Sequence, residues 1–196
     1  MGLAALLIVC EGRETEPNYL NGFCDARRIN RANVTIVPGD GETDALSLVR
    51  KARRRLEIDR DFDRVFVVCD CENDSLSPAR ALASTPLKHI TGRQITVELI
   101  VTRPCFEFWL LIHFEYVARS LPTADSAIDL LRRHVTDYRK ADRNVFRKVE
   151  GGLDRAMIHA ARLKADIAEV GVQSPDSDMP LLIEMLLSLT RNGLEP

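Results

Sequence analysis

The chain has no surplus of positive charge, no long apolar run and no paired-cysteine motif, and each lack closes off a class of function. Its 27 Lys and Arg face 29 Asp and Glu, for a formal net charge of −2. No global basic field therefore announces a nucleic-acid partner, although charge segregated onto one face stays compatible with that balance. No stretch reaches the roughly 18 uninterrupted apolar residues of a membrane span, so a membrane partner is not expected. The opening MGLAALLIVC has no Lys or Arg ahead of its apolar run and passes straight into charged residues, unlike a signal peptide. Leu6 stands where an N-myristoylation signal wants Ser or Thr. The expectation is a soluble, cytoplasmic protein. Five cysteines (Cys10, Cys24, Cys69, Cys71 and Cys105) lie mostly inside apolar, strand-like runs without CxxC spacing. That reads as buried reduced thiols rather than a zinc site or a disulfide framework. P-loop, GxGxxG, HExxH and GxSxG patterns are missing, as are repeats and low-complexity segments.

What is present is alternation. With 196 residues the chain suits one domain, or one domain with a helical appendage. Residues 3–10, 33–38 (NVTIVP), 64–70 (RVFVVCD) and 94–102 (QITVELIVT) read as strands rich in Val, Ile and Leu. Helices are expected over 16–30, over 43–57 and from Ser77-Pro78 onward, where Pro takes a first-turn position it tolerates. Thr15 reads as the N-cap of the first helix, with Glu14 and Glu16 as turn and helix-start acids. Strands separated by helices predict βαβ units and a mainly parallel sheet. After Thr102 the alternation stops. PCFEFWLLIHF reads as a buried helix, and DSAIDLLRRHV, LDRAMIHAARLKADIAEV and DMPLLIEMLLSL carry apolar residues at helical spacing. Gly151-Gly152 separates two of these helices, and Gly171 is placed to end one. The expected fold is therefore α/β: a mainly parallel four-stranded sheet flanked by helices, over residues 1–117, followed by a helical region over 118–196 packed on it as one structural unit.

Open parallel sheets bind ligands outside the carboxyl ends of their strands. The polar residues just after each strand are therefore informative: Glu11-Gly12 after the first, Asp70 and Glu72 after the third, and Thr102, Arg103 and Glu107 after the fourth. If the first and third strands are neighbours, several carboxylates converge, which is costly unless something offsets them. A divalent cation does so, and Mg²⁺ favours one or two carboxylates plus water and phosphate oxygens. Asp70 and Glu72, two apart, would reach one ion while Cys71 points away. Gly12 permits a tight turn beside Glu11.

IVCEGRETEPNYL, VFVVCDCEND and RPCFEFWLLIHF together resemble the RloB family, whose members carry a Toprim-like domain; the likeness runs through about Phe114 and extends weakly over YRKADRNVF. The Toprim pattern is a Glu after the first strand and Asp-x-Asp after the third. Here Glu72 stands where the second Asp is usual, and Thr102-Arg103 precedes the Pro-Cys-Phe-Glu segment where members tend to have Ser-Asn. The resemblance implies a Toprim-like core, a link to bacterial antiphage defence and metal-dependent nuclease activity. RNA, transfer RNA included, is preferred to DNA on family association alone.

Other residues carry two readings each. Glu107 is a further metal ligand or general acid/base, or else a first-turn acid suited to the helix dipole. His113 lies roughly 120° around the helix from Glu107 and reads as a packed core histidine, kept as a catalytic candidate because of the motif match. Arg50, Lys51, Arg54 and Arg55 share one side of a helix, either as a solvated face or as a phosphate contact that relieves their repulsion. Tyr138 to Arg143 (YRKADR) offers a second basic cluster, with Lys140 as a candidate phosphate contact. The expectation is a Mg²⁺- or Mn²⁺-dependent phosphodiesterase. Asp70 and Glu72 are its metal ligands, Glu11 is a further ligand or the general acid/base, and Arg103, or a Lys or Arg of the basic helix, steadies the phosphate. A defence-system partner protein and self-association are further expectations. The alternatives are an inactive Toprim-like binding or scaffold subunit, and a phosphoacceptor domain. The latter needs a fifth strand ending in Lys, where this chain turns helical.

Overall fold

The structure, a computed structural model, describes residues 4–42, 44–71, 76–170 and 175–191. Along the chain run β1 (Leu6–Cys10), α1 (Thr15–Ala26), β2 (Val34–Val37), α2 (Ala45–Ile58), β3 (Arg64–Asp70), α3 (Ser77–Ser84), β4 (Leu87–Lys88) and β5 (Gln94–Ile95). Then follow β6 (Val97–Arg103), α4 (Phe106–Leu111), α5 (Ala124–His134), α6 (Val145–Val149), α7 (Leu153–Val170), β7 (Asp176–Ser177) and α8 (Met179–Arg191). The fold is α/β: a mostly parallel sheet flanked by helices, with a helical C-terminal region.

The sheet order is β2-β1-β3-β6-β7, parallel throughout except for the antiparallel edge strand β7. Side chains alternate across it as a pleated strand requires. Leu6, Ile8 and Cys10 of β1, with Phe66 and Val68 of β3, join one core that also takes in α1 and the C-terminal helices. Leu7 and Val9, with Val65, Val67 and Cys69, face the opposite core under α2 and α3. All five cysteines are buried and none forms a disulfide. Among the described residues no helix is long and apolar enough to cross a membrane.

Local chemistry sets the helix starts. Asp44 caps α2 by accepting a hydrogen bond from Ser47 N at 2.9 Å, and Leu48, Val49, Ala52 and Leu56 turn inward. The start of α1 differs from expectation. Thr15 is its first helical residue rather than its cap, which falls on Glu14 without a side-chain hydrogen bond. The sheet differs too. The expected strand over 94–102 breaks, because Gln94 and Ile95 turn back to pair with Leu87 and Lys88 in a small antiparallel ribbon. The expected four strands become five, because Asp176 and Ser177 pair with Arg103 and Thr102. Thr102 and Ser177 hydroxyls lie 2.8 Å apart, both buried. Gly171, Thr43 and Leu3 lie outside the described residues.

Two connections decide where a site can form. The chain leaves β1 for β2 on one side, then returns across β1 to β3 on the other, so strand order reverses between β1 and β3. A crevice opens at such a switch point. The C-terminal region then reaches back to its rim, because α6 packs against α1. The Phe146 ring meets Tyr19 and Phe23 edge-on at 5.2 and 5.5 Å. Gly22 makes that approach possible, since a Cβ there would fall 2.8 Å from Phe146 Cβ.

Replacing Gly22 by Ala should therefore cost about 1–3 kcal/mol in urea unfolding, through overpacking of the α1–α6 contact. Gly151→Ala is the control, because a Cβ there meets nothing within 4 Å. Equal midpoints for the two variants would contradict the contact.

Candidate active site

Parallel pairing of β1 with β3 brings Glu11 beside Asp70. Glu11 N donates to Val68 O at 2.9 Å, and the Glu11 carboxylate accepts from Asp70 N, also at 2.9 Å. Glu11 is thus stapled to β3 through both backbone and side chain. Asp70 ends β3, and the backbone N–H of Phe106 at the start of α4 favours its charged form against the larger raising effects. That N–H is one of the unpaired donors every helix presents at its first turn.

A third acid joins them from α1. Glu16 is only 4% exposed and folds back so that its Oε1 accepts from Gly12 N at 3.0 Å. Gly12 is required for this, because a Cβ there would lie 1.9 Å from the Glu16 carboxylate. The fourth acid, Glu107, is 3% exposed and accepts from the Tyr138 hydroxyl at 2.9 Å. Lys140 Nζ stands 3.7 Å from Glu107, its side chain largely in solvent. The four acids and Lys140, with Arg13, line a cleft of about 320 Å³, and Tyr138 lies behind Glu107.

Crowding acids away from water changes their titration. Burial pushes the Glu11 carboxyl up to about 7, and the nearby Glu16 and Asp44 charges add to the rise, while the Asp70 N–H bond and Lys140 oppose it. Asp70 is held well above the usual carboxylate range by burial first, then by the charges of Glu16, Glu11 and Glu107. Glu16 is raised mainly by burial, with Glu107 contributing. The Cys10 and Cys105 thiols beneath the cleft are pushed up as well, by burial and then by Glu16 and Glu107 respectively. They are not poised as nucleophiles.

Of the residues expected from the sequence, Glu11, Asp70, Glu107 and Lys140 meet in this cleft. Glu72 lies outside the described residues. His113 is placed elsewhere. It is fully buried, with Nδ1 2.8 Å from Trp109 O and Nε2 3.3 Å from the Tyr19 hydroxyl. Burial lowers its pKa to about 4, so it is a neutral core histidine that does not reach the crevice. Arg103 is engaged by Asp176 at 3.1 Å and does not line the cleft. Lys51 is also held internally, donating to Pro38 O at 2.8 Å and to Asp40 at 2.9 Å, with Glu42 at 3.2 Å. Arg54 faces Glu42 at 4.0 Å, while Arg50 is exposed on α2; neither lines the cleft. Acids of the preceding loop thus offset part of the repulsion within α2, at Lys51 and Arg54.

The reading from sequence missed Glu16, Tyr138 and Arg13. A usable signal existed for Glu16: a helix that follows β1 directly points its first turn at the strand's carboxyl end. Tyr138 carries none, because its role depends on where a distant segment lands.

A divalent cation suits this donor set in kind, since four carboxyl groups are crowded there with Lys140 the one cation in ion-pair reach of them among the described residues. Among the described residues no three His, Cys, Asp or Glu side chains stand close enough to form a ready-made metal cage. Mg²⁺ does not need one, taking one or two carboxylates and completing its shell with water and phosphate. A family model described as RloB-like protein matches residues 6–186. No curated protein and no solved structure matches the chain.

The raised acids fix the sign of the pH dependence. A carboxyl whose folded pKa exceeds its unfolded value keeps extra protons in the folded state, so stability is full below the unfolded value and is lost as pH rises. For Glu11 that window runs from 4.5 to about 7. In chelator, wild-type stability should fall across it, whereas Glu11→Gln, which keeps an acceptor for Asp70 N, should fall less. At pH 7.5 the variant should be the more stable by about 1–2 kcal/mol, allowing for partial solvent access to Glu11. Parallel pH curves for the two proteins would refute this account.

Proposed function

The chain belongs to the RloB-like protein family, and from that membership and its acidic crevice we propose a metal-dependent phosphodiesterase that cleaves nucleic acid, RNA ahead of DNA, in defence against phage. The observation that carries the reading is the meeting of Glu11, Asp70, Glu16 and Glu107 with Lys140 at the β1/β3 switch point. A cluster of carboxylates held against their own repulsion is expensive for stability and is suited to a ligand that supplies positive charge.

Asp70, with Glu72 from the segment after β3, would hold Mg²⁺ or Mn²⁺, and Glu11 would be a further ligand or the general acid/base. Such an ion polarises a phosphoryl oxygen and offsets the charge of the departing one. The chain's own residues do the rest. Burial pushes the metal-free Glu11 carboxyl up to about 7, which suits it to exchange a proton at neutral pH; in that role it stays outside the ion's shell, which Asp70 and Glu72 then supply. Lys140, on the rim beside Glu107, offers a mobile cation to a phosphate oxygen. Tyr138 holds the Glu107 carboxylate in place through its hydroxyl and so orients the acid that faces Lys140.

Cleavage of end-labelled RNA and DNA, with Mg²⁺ or Mn²⁺, is the direct check. Wild type should cut in a metal-dependent way, and Glu11→Ala and Asp70→Ala should each lose about 10²–10⁴-fold in rate. Equal cleavage by all three proteins would sink the assignment.

A further inference from the structure

We propose that the seam between α1 and the segment from Tyr138 to Arg147 is a phosphate-binding track, which grips the nucleic-acid backbone several nucleotides away from the acidic cleft. The inference rests on the nuclease reading above and adds a second contact region to it. Its basis is that one segment of chain lines two grooves. Lys140 and Ala141 line the acidic cleft, while Arg143, Asn144 and Arg147 line a second groove of about 350 Å³ against Gly22, Asp25 and Ala26 of α1.

The two grooves lie along the same helix. Thr15, which lines the cleft, is followed at i+7 and i+11 by Gly22 and Ala26, which line the second groove. Those spacings stay on one stripe of an α-helix and place the grooves about 10–16 Å apart along its axis. Successive phosphates of one duplex strand advance about 3.4 Å along the axis, so the separation corresponds to about three to five nucleotides.

Charge on this segment is already sorted. The acids in and beside it are engaged by other cations: Asp137 and Asp142 share Lys148, at 2.5 and 2.6 Å, and Glu150 pairs with Arg27 at 3.3 Å. Arg143 and Arg147 are exposed and make no ion pair among the described residues, and in the second groove they face one unpaired acid, Asp25. Arg139 and Lys140, also exposed, continue the cationic line toward the cleft. In a chain of net charge −2 this is a local concentration of unpaired guanidinium groups, the side chain best shaped for bidentate phosphate contact. The acidic cleft alone would repel a polyanion. A flanking cationic track supplies the attraction that holds the strand while one phosphate enters.

The test is binding of a fluorescein-labelled RNA hairpin, followed by anisotropy in EDTA between 50 and 200 mM KCl, with cleavage measured separately in Mg²⁺. The full-length Arg143→Glu/Arg147→Glu variant should bind at least about tenfold more weakly. Its slope of log K against log[salt] should be shallower by about 1.4–1.8, the value for two lost phosphate contacts. In cleavage its KM should rise by a similar factor while kcat stays within about twofold, because neither arginine touches the acidic cleft. Arg60→Glu/Lys88→Glu, placed at the amino ends of the strands, should match wild type. Wild-type binding and cleavage with an unaffected double variant would overturn the track and leave the nuclease reading standing. Wild-type binding without cleavage, still lost in the variant, would support the track and overturn the nuclease reading. No binding by wild type would overturn both. Displacement of the RNA by polyglutamate as readily as by unlabelled RNA would reassign the patch to an acidic protein and overturn the track.

Discussion

Holding like charges together in a half-dry crevice is the constraint on which the rest of the molecule depends. Three of the acids there are bonded to donors fixed by the fold. Asp70 N serves Glu11, Gly12 N serves Glu16 and the Tyr138 hydroxyl serves Glu107, while the Phe106 N–H favours the charged form of Asp70. Backbone donors of this kind cost no reorganisation and are free only where strands end and helices begin. The cluster therefore sits at the β1/β3 switch point, where a strand end (Asp70), a tight turn (Gly12) and a helix start (Phe106) coincide. The opposition between burial and these donors leaves Glu11 near 7.

The C-terminal region completes the site rather than merely covering the sheet. The α6 contact on α1, tight at Gly22, anchors the segment that carries Tyr138 and Lys140 to the cleft. On the far edge, β7 closes the sheet and binds Arg103 through Asp176. The same core cluster contains Tyr19, Trp109, Phe146 and Leu182, so residues before and after the α4 segment share one interior. Local unfolding of the C-terminal part would thus remove Tyr138 and Lys140 from the crevice together.

Much of this was legible in the sequence, for identifiable reasons. Strand β3 spans the residues its Val- and Phe-rich run predicted, and the four parallel strands and the main helices follow from period and punctuation. The acids after β1 and β3 followed from the rule that parallel sheets present their carboxyl ends to ligands. Other features carried no local signal. Strand β7 has two residues, too few for any periodicity, and its pairing with β6 spans 75 residues at Thr102–Ser177. Lys51 and Arg54 looked like a free basic face, but the acids that engage them belong to the loop before α2, whose path the sequence does not reveal. Glu16 looked like an ordinary helix-start acid until the β1–α1 turn folded it over Gly12.

The sequence by itself determined the alternation of strands and helices, the burial of the thiols and the positions of Glu11 and Asp70 at strand ends. All of these depend on patterns a few residues long. Only the tertiary structure decided that Glu16 and Lys140 belong to the same cleft, that Tyr138 holds Glu107 there, and that Arg103 and Lys51 are engaged from within. Those assignments turn on which distant segments come within hydrogen-bonding reach. Local propensity does not encode that distance; chain packing around the switch point sets it.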